Sequence, residues 1–194
     1  MNSANYVTLL RIIVIPFFPL IYLKYDFFKI PLIWMPFILL GILIFCEFTD
    51  LVDGFLARRK NQVTDLGKVI DPMADSITHI LVFFTFTQSW IDVPILLVFV
   101  FFYREFLIST LRTICALKGF SLAARRSGKI KTLLQAIIAV LVVALLIPFF
   151  MGYISLETLR FTSLILVSIA ALYSVISAID YVYANKSYIK KFFL

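Results

Sequence analysis

The chain has 194 residues, of which 62% are hydrophobic, and it carries a formal net charge of +7 at pH 7. Soluble domains contain about 45–50% apolar residues. The composition therefore excludes an ordinary soluble protein and predicts an all-α integral membrane protein. We interpret the basic charge as a signal of membrane topology and predict no nucleic-acid partner, because basic and aromatic residues do not interleave on a polar face.

Six apolar runs are long enough to cross the ~30 Å hydrocarbon layer of a bilayer, which takes about 20 helical residues. None of them shows the alternation over about ten residues that is typical of a membrane barrel strand. In chain order, the predicted spans are 5–23, 30–57, 67–87, 93–117, 129–150 and 157–184. Since no polar stretch could form a separate soluble domain, residues 1–194 are predicted to form a single membrane-embedded domain.

Lysine and arginine are divided unequally between the two sets of span ends. One set carries Arg11, Arg58, Arg59, Lys60, Lys68, Arg112, Lys118, Arg125, Arg126, Lys129, Lys131, Lys186, Lys190 and Lys191. The other set carries Lys24, Lys29 and Arg160. Because loops rich in lysine and arginine remain in the cytoplasm, the first set and both chain termini are predicted to be cytoplasmic.

Four aspartates lie at this basic end, where the second span leads into the third. Asp50 and Asp53 are three residues apart, and Asp71 and Asp75 are four apart, so each pair shares one face of its helix. A short loop makes the two helices antiparallel neighbours, which predicts that all four carboxylates converge in one pocket. Such a cluster would be repulsive and costly to desolvate. Carboxylates without Cys or His partners suit Mg²⁺ or Mn²⁺; the alternative is pairing with nearby lysines.

Small residues follow the second aspartate. Gly54 and Ala57 remove side-chain bulk from the helix face beside the carboxylates, and Arg58 comes next. This face could let a flat ligand approach the backbone, with Arg58 meeting a phosphate. Close packing of helices, which small residues also permit, is the alternative interpretation.

Together these residues form the pattern D-x2-D-G-x2-A-R-x8-G-x3-D-x3-D. It is filled by Asp50, Asp53, Gly54, Ala57, Arg58, Gly67, Asp71 and Asp75. The pattern resembles the signature of the CDP-alcohol phosphatidyltransferase family, whose six-helix fold agrees with the six predicted spans. The resemblance implies that the first three aspartates hold two divalent cations, Mg²⁺ or Mn²⁺, and that Asp75 is the general base and also touches a metal. The residues that it implies for binding CDP are Asp50, Asp53, Gly54, Ala57, Arg58 and Gly67.

Four other segments resemble the phosphatidylglycerophosphate synthases within that family. They are "NYVTLLRIIVIPF" (5–17), "REFLISTLR" (104–112), "GKIKTLLQ" (128–135) and "SAIDY" (177–181). The resemblance implies transfer of a phosphatidyl group from CDP-diacylglycerol to sn-glycerol 3-phosphate, giving phosphatidylglycerol phosphate and CMP. Two positions depart from this subfamily: Ser76 stands where it usually has Lys, and Glu47 where a small or apolar residue is expected.

Basic residues near the aspartates predict a site for an anionic acceptor. Arg104 lies about 18 Å along its predicted helix, and an arginine inside a membrane marks a site by default. Arg112 is two turns nearer the cytoplasm, and Lys129 and Lys131 open the following helix. These four residues are predicted to clamp the acceptor's phosphate, with arginine offering a bidentate fork. The alternatives are a structural pairing of Arg104 with Glu105 and topological anchoring by the lysines.

Other readings of the same sequence remain open. A family member with inositol phosphate or serine as acceptor, an intramembrane prenyltransferase and a divalent-cation transporter are the alternatives. His79 is interpreted as a packing or hydrogen-bonding residue, and Asp180 and Tyr181 could reach the pocket from the last helix. The resemblance further implies a homodimer surrounded by membrane lipids, with multiple passes through the inner (cytoplasmic) membrane and an active site that faces the cytoplasm.

Overall fold

Every secondary-structure element in the described residues is a helix, as the composition predicts. The structure, a computed structural model, describes residues 3–59, 65–117 and 125–186, and the side chains within 8–49, 73–115 and 125–186. The helices are α1 (Ser3–Val14), α2 (Phe17–Lys24), α3 (Met35–Arg59), α4 (Asp65–Thr85), α5 (Ile95–Leu117), α6 (Arg126–Phe150) and α7 (Leu156–Ala184). Lys60, Lys118, Lys190 and Lys191 of the predicted basic set lie outside the described residues.

The first predicted span, 5–23, is two helices rather than one. The break falls at Ile15 and Pro16, where a proline has no backbone N–H to donate and its ring clashes with the preceding helical turn. Backbone hydrogen bonds nevertheless bridge the break: the Ile15 N–H donates to the Arg11 carbonyl at 2.9 Å and the Phe18 N–H donates to the Ile15 carbonyl at 3.0 Å. The prediction of a continuous helix was wrong at this point.

The second predicted span begins later than expected, at Met35 rather than at residue 30. Lys29 has a positive φ of 51°, and the Trp34 N–H closes a turn on the Pro31 carbonyl at 2.9 Å. These features keep residues 30–34 out of the helix. Pro36 then lies in the first turn of α3, where the missing N–H removes no intrahelical bond.

The helices pack as a bundle with two distinct ends. Helix α1 packs against α3 and α4, helix α6 packs against α3, α4 and α7, and helix α5 packs against α4 and α7. At one end, the Tyr22 hydroxyl donates to the Gln88 carbonyl at 3.0 Å and Arg160 pairs with Asp92 at 3.1 Å. The ends of α2 and α4 and the starts of α5 and α7 therefore lie together, and the aspartate signature belongs to the opposite end.

Aromatic residues fill the core of the half of the bundle away from the signature. The rings of Phe83 and Phe101 are 4.6 Å apart between centroids, and Phe86 packs edge-on against both Phe83 and Phe18. All four of these side chains are buried. Burial of such rings stabilises the packing of α2, α4 and α5 around one another.

The outside of the bundle is apolar as well. Exposed large hydrophobic side chains occur on every helix, among them Phe17, Leu96 and Phe161, a pattern that marks contact with a membrane or with other proteins. Two helices of the described chain, α6 and α7, are long and apolar enough to cross a membrane. Only 39% of the most apolar 18-residue segment of α6, and 33% of that of α7, is buried inside the bundle. Much of each apolar helix therefore faces outward.

Candidate active site

The signature aspartates belong to the C-terminal part of α3 and the N-terminal part of α4. Asp50 and Asp53 lie in α3, and Asp71 and Asp75 lie in α4. Among the signature positions, only the side chain of Asp75 is described. The side chains of Asp50, Asp53, Gly54, Ala57, Arg58, Gly67 and Asp71 lie outside the described ones, so their convergence stays a prediction.

The structure does bring α3 and α4 close together just beyond the signature. His79 of α4 lies one turn after Asp75, and its Nε2 is 3.6 Å from Oε1 of Glu47 in α3. Its Nδ1 is 2.9 Å from the Asp75 carbonyl oxygen, to which a protonated Nδ1 donates. His79 therefore has a hydrogen-bonding role, as interpreted from the sequence. Glu47, unexpected at its position in the subfamily, is the residue across from it.

Asp75 is held by an arginine from the first helix. Arg11 Nη1 donates to Asp75 Oδ1 at 2.6 Å, with the arginine side chain 2% exposed and the aspartate 31% exposed. From the sequence, Arg11 was interpreted only as one of the residues that set topology. Its place within an apolar run was the signal of a site, because an ionisable residue in a membrane segment is costly unless it is paired.

A second group of polar residues surrounds Glu105 on α5. Arg104 Nη1 donates to both carboxylate oxygens of Glu105, at 3.0 and 3.2 Å. Lys131 Nζ from α6 also donates to Oε1, and Ser76 Oγ from α4 donates to Oε2 at 3.1 Å. Ser177 of α7 accepts a hydrogen bond from Arg104 Nη2 at 3.0 Å. We call these five residues the Glu105 cluster; they join four helices.

The Glu105 cluster contains two cations and one anion, and it is largely shielded from solvent. The Lys131 side chain is 3% exposed, that of Arg104 8% and that of Glu105 14%. The pairing of Arg104 with Glu105, considered as the alternative to phosphate binding, is therefore present. It is compatible with a ligand-binding role, because the carboxylate neutralises only one of the two buried cations.

The other two predicted clamp residues lie elsewhere. Arg112 Nε donates to the Tyr181 hydroxyl at 3.2 Å, and its guanidinium lies 5.3 Å from the centre of the same ring. Lys129 is exposed, whereas Lys131, two residues later, is buried. Of the four predicted residues, the structure thus gathers Arg104 and Lys131 on one carboxylate, while Arg112 contacts α7 and Lys129 faces outward.

Asp180, considered from the sequence as a possible pocket residue, connects α7 to the start of α6. Its Oδ2 accepts a hydrogen bond from Ser127 Oγ at 2.5 Å and pairs with Arg125 Nε at 3.0 Å. With Tyr181 holding Arg112 of α5, two successive residues of α7 bind the neighbouring helices. Both residues act at the end of the bundle that carries the signature.

The two polar groups are neighbours. Ser76 follows Asp75 directly in α4 and donates to Glu105 Oε2. Asp75, fixed by Arg11, therefore stands beside a group with an excess positive charge. This arrangement could place a carboxylate base next to a bound anion.

The donor set of the signature fits a hard divalent cation, since it consists of carboxylate oxygens without thiolate or imidazole. Among the described side chains, no group of three or more His, Cys, Asp or Glu residues is placed to hold a metal. Asp75 is the one signature aspartate in that set. A metal site would therefore depend on Asp50, Asp53 and Asp71, whose side chains are outside it.

Comparison with known proteins agrees with the signature. Residues 1–176 match the family model described as CDP-alcohol phosphatidyltransferase. The chain is 39% identical over 144 residues to the CDP-diacylglycerol--glycerol-3-phosphate 3-phosphatidyltransferase of Escherichia coli (strain K12), covering 70% of this chain and 73% of that one. It is 36% identical over 141 residues to the protein of that name from Yersinia pestis (strain Pestoides F), covering 70% and 72%. The resemblance inferred from the sequence is confirmed, and the chain belongs to the CDP-alcohol phosphatidyltransferase family.

Proposed function

We propose that the protein transfers the phosphatidyl group of CDP-diacylglycerol to sn-glycerol 3-phosphate, giving phosphatidylglycerol phosphate and CMP. The observation that carries the proposal is the position of Ser76. It joins Asp75, the candidate base, to a carboxylate that also binds the two buried cations Arg104 and Lys131. The relatives from Escherichia coli and Yersinia pestis, whose names state this reaction, support the same acceptor.

The donor is assigned to the signature residues of α3 and α4. Gly54 and Ala57 leave the helix face without bulk beside the nucleotide, and Arg58 is a cation for the donor's diphosphate. Asp50, Asp53 and Gly67 complete the set that we assign to the CDP moiety. The acyl chains of the donor would remain in the bilayer, so the reacting phosphorus lies at the membrane surface.

Asp50, Asp53 and Asp71, together with Asp75, are the residues that would hold two divalent cations, Mg²⁺ or Mn²⁺. When bound, such ions neutralise the charge of a diphosphate and stabilise the charge that develops on attacking and leaving oxygens. The carboxylates of this chain supply the oxygen ligands and the negative charge that such a pair of ions requires.

Asp75 is the candidate general base. Its carboxylate takes the proton from the acceptor hydroxyl while that oxygen forms a bond to the lipid-side phosphorus. The bond from that phosphorus to the CMP oxygen breaks, and CMP leaves with the electron pair. Arg11 holds Asp75 Oδ1 and thereby orients the carboxylate. Proton transfer is efficient only when the base has a defined position.

The acceptor's phosphate is assigned to the basic residues next to Asp75. Arg104 and Lys131 form the buried part of this site, and their excess positive charge favours an anion over a neutral alcohol. Arg112 and Lys129 are the remaining members of the predicted clamp. Arg112 would act from beside Tyr181. Exposed Lys129 would contribute a positive charge at the surface near this site.

The proposed topology has six membrane spans in a single catalytic domain, residues 1–194, with both termini and the active site on the cytoplasmic side of the inner membrane. The apolar outer surface of the bundle and the two long apolar helices support membrane embedding. The unequal distribution of lysine and arginine supports the orientation. Membrane lipids then surround the protein, and we include a homodimer as part of the proposal on the family resemblance.

An acceptor screen tests the function. The purified protein is given CDP-diacylglycerol, Mg²⁺ or Mn²⁺, and one of glycerol 3-phosphate, glycerol, serine or inositol phosphate, and the release of CMP is measured. We expect metal-dependent release that is fastest with glycerol 3-phosphate. Faster release with serine or glycerol would contradict the anionic acceptor, and a preference for inositol phosphate would change the product. Metal transport into vesicles without CMP release would indicate a cation transporter.

A further inference from the structure

We propose that Glu105 is a positioning residue that fixes Arg104 and Lys131 as a preformed phosphate-binding pair, and so sets the preference for a phosphorylated acceptor. The inference rests on the proposed function and deepens it. Glu105 lies between the two cations and binds both, while Ser76 holds its other oxygen. The carboxylate is thus fixed from α4, α5 and α6 at once.

The hydrogen bonds of Arg104 show that Glu105 does not use up the donors of this pair. A guanidinium has five N–H groups. In the structure, Nη1 donates to Glu105 and Nη2 to Ser177. Buried Nε has no hydrogen-bond partner in the described part of the chain. At least one donor of the guanidinium therefore remains for a ligand.

Lys131 leads to the same conclusion. An ammonium group has three N–H donors, and the hydrogen bond that the structure gives Lys131 is the one to Glu105. A phosphate has enough acceptor oxygens to bridge the remaining donors of Lys131 and Arg104 without displacing the carboxylate. Glu105 can therefore stay in place while an acceptor binds.

The start of α6 lies close to Arg104. A Cβ built on Gly128 would lie 3.7 Å from Arg104 Nη2, an ordinary van der Waals distance. The glycine thus lets the backbone of α6 approach the guanidinium at the end of the bundle that carries Asp75.

The charge of the cluster gives Glu105 its positioning role. Two buried cations side by side repel each other and lose their hydration. One carboxylate between them supplies attraction at both positions and leaves one excess positive charge for the acceptor. If Glu105 became neutral, the two cations would repel each other and Lys131 or Arg104 would move away from its position. Binding of the acceptor's phosphate would then weaken.

A carboxylate that competes with the acceptor's phosphate would change the KM for glycerol 3-phosphate in the opposite direction. If Glu105 acted as an internal anion that competes with phosphate for the two cations, removing its charge would lower the KM for glycerol 3-phosphate. The sign of the change in KM therefore distinguishes a positioning carboxylate from a competing one. A purely structural carboxylate would instead alter the use of all substrates together.

The experiment measures kcat and KM for glycerol 3-phosphate, plain glycerol and CDP-diacylglycerol with four variants in the same detergent. Glu105→Gln removes the charge with little change of shape, and Glu105→Asp retains the charge on a shorter side chain. Ser76→Ala removes only the hydrogen bond that α4 donates to Glu105. Asp92→Asn is the control: it breaks the exposed ion pair with Arg160 at the other end of the bundle, and its φ of 53° is one that asparagine adopts readily.

We expect Glu105→Gln to raise the KM for glycerol 3-phosphate about ten- to a hundredfold, the range for losing a charge-assisted hydrogen bond. Ser76→Ala should raise it about two- to tenfold, as for a neutral hydrogen bond. Glu105→Asp should recover part of the loss, and Asp92→Asn should leave all three substrates unaffected. The KM for CDP-diacylglycerol should change much less than that for glycerol 3-phosphate.

An unchanged or lower KM for glycerol 3-phosphate in Glu105→Gln would overturn the inference. Equal losses with glycerol and glycerol 3-phosphate would overturn it as well, because they indicate a general structural defect. If Glu105→Gln is not monodisperse in detergent, Ser76→Ala and Glu105→Asp replace it. Their KM values for glycerol 3-phosphate are compared with those for glycerol and CDP-diacylglycerol in the same way. Failure of the parent protein to release CMP with glycerol 3-phosphate would instead contradict the proposed function, so the two failures are distinguishable.

Discussion

Arg11 and Asp75 are 64 positions apart in the chain, yet Nη1 of one donates to Oδ1 of the other at 2.6 Å. The arginine is buried between α1 and α4, and the aspartate is the most C-terminal residue of the family signature. This contact ties the first helix to the candidate base. It gives the aspartate a defined orientation before any substrate is present.

The first prediction follows from this contact. Arg11→Gln should lower kcat by about ten- to a hundredfold, because the loss of a charge-assisted hydrogen bond, worth about 1.5–3 kcal/mol, leaves Asp75 without a fixed position. Arg11→Lys retains the charge and should recover part of the activity. The rate of CMP release at saturating substrates measures both, with thermal unfolding in detergent as the control for folding. Parental kcat in a folded Arg11→Gln variant would contradict the positioning role.

A second prediction concerns the metal ions. Asp50→Asn, Asp53→Asn and Asp71→Asn should each abolish most turnover, because each change removes a charged oxygen ligand while preserving side-chain shape. EDTA should inactivate the parent protein, and added Mg²⁺ or Mn²⁺ should restore it. Calorimetry with Mn²⁺ alone should show weaker binding in each variant, which is a readout independent of activity. Substantial turnover in the presence of EDTA would refute the proposed metal site.

A third prediction separates the base from the ligands. Asp75→Asn should lower kcat more than it weakens binding of CDP-diacylglycerol, because proton transfer belongs to the chemical step. Calorimetric titration of the variant with donor and metal measures the binding, and CMP release measures the chemistry. If the variant no longer binds donor in the presence of metal, Asp75 acts primarily as a ligand and another base must be sought.

The fourth prediction compares two lysines on one helix. Lys131 is buried against Glu105, whereas Lys129, two residues earlier, is exposed. Lys131→Gln should therefore raise the KM for glycerol 3-phosphate by about ten- to a hundredfold, and Lys129→Gln should raise it much less. The KM for CDP-diacylglycerol provides the internal control in both variants. A larger effect at Lys129 would place the acceptor's phosphate at the exposed face of α6.

Much of the fold could be predicted from local features of the sequence. Helices α4 to α7 begin and end within a few residues of the predicted spans, because apolar runs and the polar breaks between them are local signals. The spacing of Lys129 and Lys131 is also a local signal, because residues two apart lie on different sides of a helix and only one of them faces inward. The break at Pro16 was missed, although the backbone chemistry of proline is itself a local signal.

The sequence by itself determined the composition of a membrane protein, the order of its helices and the aspartate signature that places the chain in its family. These features depend on the identity and spacing of residues close together in the chain. Only the tertiary structure decided that Arg11 binds Asp75 and that Glu105 binds Arg104, Lys131 and Ser76. Apart from the neighbours Arg104 and Glu105, these partners are 26 to 64 positions apart. Their meeting depends on how α1, α4, α5 and α6 pack, which no local pattern specifies.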